Sequence, residues 1–272
     1  MSISWLKRSG VISLVSIIQH RPLLPFPCAC LTHHIVSYGI LFDLIQCLVE
    51  RDFQHYTEGT LNSYAFIKEC LQDSQFEKVV LILHSQSGIQ GSLIIDKLIS
   101  NLPEEDIHKL EIYTFAAAAN HFNNPPHFER HLIQHVEHYA NSGDFVSRLG
   151  VLNFSKAPAP ANLTNHFIRK LFERPGSGHM LNQHYLSTMF TLDSDEEYVA
   201  NTNDFMETLV DETSVLGGQN VPNFDTMSPM GYQEGSQLVT PLTPGPSASG
   251  TVKRISELSR LWEYRNGRLP ML

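Results

Sequence analysis

An apolar run that ends in a serine-containing turn is the feature that most constrains the fold of this chain. Residues 79–83 are apolar without alternation, which predicts a strand buried on both faces of a sheet. His-Ser-Gln-Ser-Gly follows at 84–88, and a helical pattern covers 89–100. A strand, a tight turn and a helix in this order would lift Ser85 to the carboxyl end of a parallel strand. There its hydroxyl is a candidate nucleophile and the N–H of Gln86 a candidate oxyanion donor, whereas a helix N-cap is the alternative role for this serine.

Two later loops offer the base and the acid that a serine nucleophile requires. Residues 134–140 are predicted to form a strand, and Asp144 follows it on a loop. Residues 166–172 are predicted to form another strand, and His179 follows on a loop rich in glycine. The order Ser, Asp, His, with each residue after a strand, is that of triads built on the carboxyl ends of parallel strands. The sequence therefore predicts Ser85, Asp144 and His179 as catalytic residues.

The segments around these motifs alternate between strand and helix patterns. The apolar strand at 79–83 and a strand at 111–115 flank the helix at 89–100, which is the pattern of a βαβ unit. Further predicted elements are strands at 11–18 and 26–34, helices at 40–51 and 61–72, and a helical pattern at 180–190. We therefore expect an α/β fold with a doubly wound, mostly parallel sheet and the site at the carboxyl ends of its strands.

Five stretches of the chain resemble a known family. They are Val-Val-Leu-Ile-Leu-His-Ser-Gln-x-Gly from residue 79, Glu-Ile-Tyr-Thr-Phe at 111–115, Ala-Asn-His-Phe-Asn-Asn-Pro at 119–125, His-Tyr-Ala-Asn-Ser-Gly-Asp-Phe-Val at 138–146 and Gly-Ser-Gly-His at 176–179. Together they are similar to an uncharacterised, lipase-like serine-esterase branch of the α/β-hydrolases in fungi, over residues 38–192. The resemblance implies an α/β-hydrolase fold, a carboxylic ester or lipid substrate, and Ser85, Asp144 and His179 as the triad.

Three departures from the family pattern support a rival expectation. Ser87 and Ala116 stand where the family usually has glycine. No His-Gly pair occurs in the sequence, although many α/β-hydrolases use the loop at such a pair to supply a second oxyanion N–H. The early strand at 11–18 runs instead into residues 19–22, where Pro22 has no N–H to donate. Loss of one such donor costs about two to three orders of magnitude in rate, so the rival expectation is a catalytically inactive scaffold that acts as a protein-interaction module.

Other polar residues near these motifs have more than one candidate role. Asn120 and His121 follow the strand after the serine turn and are candidates for lining the substrate pocket, or for shaping the turn at 123–126. His184 is a second candidate base, although the histidine on the glycine-rich loop is preferred because that loop must reach back to the serine. His84 lies on the buried strand and is expected to be a hydrogen-bonded core residue.

The sequence predicts no metal and no cofactor. His127, His131 and His135 would form a zinc-binding row on one helix, but the strand predicted from residue 134 onward breaks that row. The Cys-Ala-Cys pair at 28–30 has no second pair to complete a zinc site. The four cysteines do not read as a disulfide framework, which favours a reducing, cytoplasmic location over secretion.

Composition and charge divide the chain into four parts. The chain is 42% hydrophobic, enough for one sizeable core, and its net charge is −9. Residues 191–250 contain ten acidic residues and no Lys or Arg, so the rest of the chain is nearly neutral, which argues against a nucleic-acid partner. The predicted parts are an atypical N-terminal segment at 1–37 that replaces the first sheet strands, a hydrolase-like body at 38–192, an acidic, largely disordered tail at 193–250 and a short amphipathic helix at 251–272.

The terminal helix, with its helical pattern at 253–264, has one apolar face. Trp262 gives that face a large area to bury, so we expect it to dock on the body. Contact with a partner protein or with an anionic membrane surface is the alternative. The early apolar run at 11–18 is too short to span a membrane, so no integral membrane segment is expected.

Overall fold

Most of the expected body falls within the part of the chain that the structure describes. The computed structural model describes residues 14–20, 28–34, 51, 56–127, 130–155, 167, 169–193, 199–200, 205–211, 216–217, 252–268 and 270. The helix expected at 40–51 lies outside these residues except for Arg51. Most of the tail expected at 193–250 also lies outside them.

The described strands form one large sheet and two small ones. Their bounds are β1 (Leu14–His20), β2 (Cys28–His34), β3 (Lys78–His84), β4 (Leu110–Phe115), β5 (Pro126–His127), β6 (Arg130–His131), β7 (His135–Asn141), β8 (Arg169–Arg174), β9 (Leu209–Asp211), β10 (Leu216–Gly217) and β11 (Val252–Arg254). The large sheet has the order β10-β8-β7-β4-β3-β1-β2, while β9 pairs with β11 and β5 with β6.

Four adjacent strands, β3, β4, β7 and β8, form a parallel core. The expectation of an α/β architecture with a parallel sheet is confirmed for this core. β1 lies antiparallel between β2 and β3, and β10 lies antiparallel on β8. Because only the short connection at 21–27 joins β1 to β2, these two neighbours can pair only as antiparallel strands. β2 therefore runs in the same direction as β3.

Helices follow the strands of the core. Their bounds are α1 (Glu58–Gln72), α2 (Gln86–Asn101), α3 (Glu104–Ile107), α4 (Phe145–Leu149), α5 (Val151–Phe154), a π-helix (Leu181–Leu186), α6 (Ser187–Met189), α7 (Ile255–Leu258), α8 (Arg260–Glu263) and a 3-10 turn (Arg265–Gly267). Thr57 caps α1, since its hydroxyl accepts the N–H of Thr60 at 3.3 Å. α2 starts directly after β3, and it buries the apolar residues whose spacing predicts a helix over 89–100.

The parallel core carries an apolar layer on each face. Side chains alternate along β3, so Leu81 and Leu83 belong to one layer, and Val80 and Ile82 to the other. The first layer also contains residues of α1 and α2, and the second contains residues of the π-helix and of the C-terminal segment. Every residue of β3 is buried, which confirms the expectation from its apolar run.

The C-terminal segment is not the single helix expected over 251–272. It consists of β11, which pairs with β9, followed by α7, α8 and the 3-10 turn. That expectation is wrong because Ser259 is extended between the two helices and caps α8, its hydroxyl accepting the N–H of Trp262 at 3.1 Å. Trp262 is buried and stacks on Phe190 with ring centroids 5.6 Å apart. Docking on the body is therefore confirmed, and the indole that a partner or a membrane would contact is covered.

Part of the expected acidic tail is packed in the same layer. Phe205, Met206 and Val210 are fully buried. Residues 205–211 are therefore an ordered part of the tail that was expected to be largely disordered, and their apolar side chains belong to the core. Within the described residues, no helix combines the length and the apolar character needed to cross a membrane.

Two buried glutamates hold the C-terminal segment on the sheet. Glu137 on β7 accepts the backbone N–H of Arg260 at 2.8 Å and that of Leu261 at 3.2 Å, in the first turn of α8. Glu111 on β4 accepts the Arg260 Nε–H at 2.9 Å and the Tyr264 O–H at 2.7 Å. Neighbouring strands thus present two carboxylates that bind backbone and side-chain donors of one short segment.

Candidate active site

Ser85 lies in a strained turn between β3 and α2. Its φ and ψ are 59° and −121°, which residues with a side chain rarely adopt. The Ser85 N–H donates to the carbonyl of Phe115 at 3.0 Å. The Ser85 carbonyl accepts the N–H of Gly88 at 3.0 Å and of Ala118 at 3.1 Å, so the surrounding backbone maintains the strain. The Ser85 side chain makes no capping hydrogen bond to α2, which removes the N-cap role as the reason for a serine here.

Ser85, His179 and Asp144 form a continuous hydrogen-bonded chain. Ser85 Oγ lies 2.8 Å from His179 Nε2. His179 Nδ1 lies 3.1 Å and 3.0 Å from the two carboxylate oxygens of Asp144. Because an ionised carboxylate can only accept, Nδ1 carries the proton and Nε2 is left to accept the serine proton. The structure thus brings together the three residues that the sequence singles out.

The loops after β7 and β8 are joined so that the carboxylate reaches the imidazole. Asp144 caps α4, because its Oδ1 accepts the N–H of Val146 at 2.9 Å. The Gly143 N–H donates to the carbonyl of Gly176 at 2.7 Å. A Cβ on Gly143 would lie 2.7 Å from that same oxygen, so only glycine permits the approach. Gly143, next to Asp144, therefore allows the close approach of the two loops.

The surroundings of Asp144 favour its ionised form. Burial opposes ionisation, but the hydrogen bond and charge of His179, together with donors from Tyr185 and Val146, outweigh it and lower the pKa of Asp144. The Asp144 side chain is fully buried, whereas that of His179 is 34% exposed. An ionised carboxylate behind an accessible imidazole can stabilise the imidazolium that forms when serine loses its proton.

Two further histidines support the loop of His179. His84 is buried, and its Nε2–H donates to the carbonyl of His179 at 2.8 Å, which confirms its expected role as a hydrogen-bonded core residue. His184 Nδ1 accepts the N–H of Met180 at 3.0 Å. The His184 ring also covers Gly178, which has a φ of 93° and where a Cβ would lie 2.3 Å from the ring. His184 is thus fixed on the loop, which leaves His179 as the base.

The sequence did not predict the role of Tyr185. This residue is fully buried, and its O–H donates to Asp144 Oδ2 at 2.7 Å. It belongs to the π-helix that follows His179. The available signal was a hydroxyl on an aromatic residue within an apolar row, since a buried tyrosine usually has a partner for its O–H.

The turn accommodates one departure from the family pattern and requires the glycine that remains. Gln86 is the first residue of α2, the position whose N–H serves as an oxyanion donor in turns of this kind. Ser87 fits fully buried in the first turn of the helix. At Gly88, however, a Cβ would lie 2.9 Å from the Ala117 Cβ. Glycine is therefore needed at 88 and not at 87.

The carboxyl end of β1, after which a second oxyanion donor was expected, lies at the edge of the sheet away from Ser85. β1 is antiparallel to β3, and His20 at its carboxyl end pairs with Lys78 at the amino end of β3. This end lies roughly 20 Å along the strand from Ser85. A loop that leaves β1 at this end therefore starts far from Ser85, and because no His-Gly pair occurs elsewhere in the sequence either, the inactive scaffold stays a rival expectation. β2 ends at His34 on the Ser85 edge, and residues 35–50 that follow it lie outside the described residues.

Asn120 and His121 belong to a separate polar cluster. His121 Nε2 lies 2.9 Å from Asp96 Oδ2, and His121 Nδ1 lies 2.7 Å from Asn120 Oδ1. The side-chain amide of Asn120 donates to the carbonyl of Arg51 at 3.2 Å. Asp96 lies roughly 15 Å beyond Ser85 along the axis of α2. The polar atoms of these two residues therefore bind Asp96, Arg51 and each other, and their role in lining a pocket stays a prediction.

His135, from the row considered for zinc, and His138 both lie on β7, where His138 is fully buried and His135 is partly buried. Burial lowers the pKa of His135 to about 4 and that of His138 to about 3. The His138 ring packs between Phe122 and Phe167, with ring centroids 5.2 Å and 5.0 Å away. Within the described part of the chain, no group of three or more His, Cys, Asp or Glu side chains is placed to hold a metal ion.

Ala116, directly after β4, has a φ of 48°. The left-handed region costs an alanine about 1–2 kcal/mol, which glycine avoids. Ala116→Gly is therefore expected to change the free energy of unfolding by less than about 0.5 kcal/mol, because relief of strain offsets the lost methyl burial and the greater entropy of the unfolded chain.

Ala119 provides the matched control, because it is equally buried but has no positive φ. Ala119→Gly is expected to lower the free energy of unfolding by about 1–2 kcal/mol, since no strain is relieved. Urea titration of both variants measures the difference. Equal losses at the two positions would show that Ala116 is not strained.

The assembled groups can activate a hydroxyl for attack. The serine is hydrogen-bonded to an imidazole, and the imidazole is hydrogen-bonded to a buried carboxylate. In such an arrangement the imidazole takes the serine proton as the serine oxygen forms a covalent bond. The three side chains follow strands of one parallel core, so the sheet holds them in place. No family model, no curated protein and no solved structure matches this chain.

Proposed function

We propose that this protein is a serine hydrolase that acts on carboxylic esters and has an α/β-hydrolase-like, doubly wound sheet. The observation that carries the proposal is the hydrogen-bonded chain from Ser85 through His179 to Asp144. The positive φ of Ser85 supports it, because an ordinary capping or core serine requires neither that strain nor a histidine on its hydroxyl. The sequence resemblance to lipase-like serine esterases points to the same class of reaction.

In the proposed reaction, Ser85 Oγ attacks the carbonyl carbon of the ester. The serine proton passes to His179 Nε2 as the new C–O bond forms, and Asp144 stabilises the resulting imidazolium. The carbonyl oxygen becomes an oxyanion, which the N–H of Gln86 stabilises. Collapse of this intermediate breaks the bond to the alcohol, which leaves with the proton from His179. Water then attacks the acyl-enzyme with His179 as base, which releases the acid and restores Ser85.

Exposed apolar side chains beside the triad support an apolar ester, such as a lipid, as substrate. Phe145 follows Asp144 and is 70% exposed, and Met180 follows His179 and is 39% exposed. Leu149 lies one turn after Phe145 on α4 and is 46% exposed. Contact with a hydrocarbon chain would contribute about 25 cal/mol for each Å² of apolar surface removed from water. We therefore assign these side chains to the apolar part of the substrate.

The buried cysteine of α1 is in keeping with the proposed cytoplasmic location. Cys70 is a core residue and forms no disulfide. A buried thiol needs no oxidising compartment, whereas small secreted proteins commonly rely on disulfides.

Ser85→Ala is expected to reduce ester hydrolysis to the background rate, because it removes the nucleophile that forms the acyl-enzyme. The release of nitrophenol from acetate, butyrate and laurate esters measures both the activity and the preference for a longer acyl chain. Ser142→Ala is the matched control, since Ser142 is an exposed serine on the loop before Asp144, and it is expected to retain the native rate.

Two outcomes would contradict the proposal. Equal hydrolysis by the native protein and Ser85→Ala would exclude Ser85 as the nucleophile. A folded native protein without activity on any of the esters would instead favour the inactive scaffold.

A further inference from the structure

Tyr185 has a hydrogen-bonding arrangement that core packing alone does not require. Its O–H donates to Asp144 Oδ2 at 2.7 Å. The backbone N–H of Asn141 donates to the phenol oxygen at 3.1 Å, and Ser147 Oγ lies 3.1 Å from that oxygen. Because the single phenol proton is directed to Asp144, the Ser147 hydroxyl must donate. Two donors on its oxygen make the Tyr185 hydroxyl a stronger donor to the carboxylate.

The π-helix that carries Tyr185 is fastened to the end of β7. The side-chain amide of Asn141 donates to the carbonyls of Gly178 and His184 at 3.3 Å and 3.2 Å. Arg174, at the end of β8, donates to Asn141 Oδ1 at 2.8 Å and to the His184 carbonyl at 3.2 Å. The phenol therefore has little freedom to move away from the carboxylate. A π-helix turn at such a place is frequent beside functional residues.

We infer that Tyr185 is a positioning residue of the triad, whose phenol holds the Asp144 carboxylate in the orientation that presents it to His179. The inference rests on the proposed function. The N–H of Val146 restrains Oδ1 at 2.9 Å, and the phenol restrains Oδ2 at 2.7 Å. With both oxygens restrained, the carboxylate cannot rotate, and His179 Nδ1 stays within 3.1 Å of each. The backbone donor alone would fix only one of the two oxygens.

The charge of this carboxylate depends on groups from several elements. Among the described residues, the ionisable side chains in the network of contacts around Asp144 and the loop of His179 are His84, Arg174, His179, His184 and Tyr185. Burial raises the pKa of Asp144, whereas the donors from His179 and Tyr185 lower it. Removal of the phenol therefore raises the pKa of Asp144. Because a protonated Asp144 cannot stabilise the imidazolium, the acid limb of the pH–rate profile should move to higher pH.

Tyr185→Phe tests the inference, because it removes the hydroxyl and keeps the ring. The rate at which a fluorophosphonate probe labels Ser85 is expected to fall about tenfold at neutral pH. The acid limb of its pH–rate profile is expected to move upward by roughly half to one pH unit. Tyr139→Phe is the matched control, since Tyr139 is also fully buried and donates to a carboxylate, that of Glu137, at 2.6 Å. Its acid limb is expected to match that of the native protein.

Each outcome separates positioning from packing. An unshifted acid limb in folded Tyr185→Phe would overturn the inference, because a tyrosine with a purely structural role changes stability without changing the titration. If Tyr185→Phe does not fold, Ser147→Ala provides the test. It removes one donor to the phenol oxygen and so makes the phenol a weaker donor to Asp144. A smaller upward shift in that variant supports the inference, and an unchanged limb overturns it. Absence of labelling in the folded native protein would instead overturn the proposed function, and the inference with it.

Discussion

Asp144→Asn is expected to lower the rate at which a fluorophosphonate probe labels Ser85 by about four orders of magnitude, while the protein remains folded. Asparagine has the shape of aspartate, and its Oδ1 can still accept the donors from Val146 or Tyr185. Its amide, however, donates to His179 Nδ1, so the ring proton moves to Nε2. A ring in that tautomer has no lone pair for the serine proton, and Ser85 loses its base.

The chain offers a matched control for this change. Asp96 is also hydrogen-bonded to a histidine, since its Oδ2 lies 2.9 Å from His121 Nε2. It lies, however, roughly 15 Å from Ser85 along α2. Asp96→Asn is expected to leave the labelling rate nearly unchanged. Time courses at several probe concentrations give the second-order rate constant of each variant. Nearly native labelling of Asp144→Asn, or equal losses in both variants, would exclude the assigned role of Asp144.

Glu137→Ala is expected to reduce the free energy of unfolding by about 3–5 kcal/mol. Glu137 is 2% exposed, and it accepts the N–H of Arg260 at 2.8 Å and the O–H of Tyr139 at 2.6 Å. The Lys170 ammonium lies 3.7 Å from it. Alanine would remove the acceptor of the Arg260 and Leu261 backbone N–H groups within an apolar layer. It would also release the first turn of α8, whose N–H groups have no partner within the helix.

Glu263→Ala serves as the control for this measurement. Glu263 lies on the same segment, but it is exposed, and its carboxylate is 3.9 Å from the Arg260 guanidinium. Its removal is expected to cost less than about 1 kcal/mol. Urea unfolding followed by tryptophan fluorescence measures both variants, because Trp262 is stacked on Phe190 in the folded protein. Similar losses in the two variants would show that the buried carboxylate does not hold the segment.

The three central residues of the site are predictable from sequence because each belongs to a local pattern. Ser85 follows an apolar run without alternation, and Asp144 and His179 each follow a strand on a loop with glycines. The carboxyl ends of parallel strands meet at one edge of a sheet. Their order along the chain was therefore enough to predict that the three side chains approach one another.

Other features depend on contacts that periodicity does not contain. Tyr185 reaches the carboxylate from a π-helix, whose register differs from the usual period of 3.6 residues. The C-terminal helix is interrupted at Ser259, where the hydroxyl of that residue and the carboxylate of Glu137 bind backbone N–H groups. The direction of β1 is set by its pairing with β3, and for that reason the expected oxyanion loop was sought at the wrong edge.

Peptide mapping after reaction with a fluorophosphonate probe tests the central claim most directly. We expect a single adduct, on the peptide that contains Ser85, and we expect it to be absent from Ser85→Ala and His179→Ala. That result would show an activated serine that depends on its paired base. A folded native protein without an adduct, or with the adduct on another serine, would contradict the assignment of Ser85 as the nucleophile.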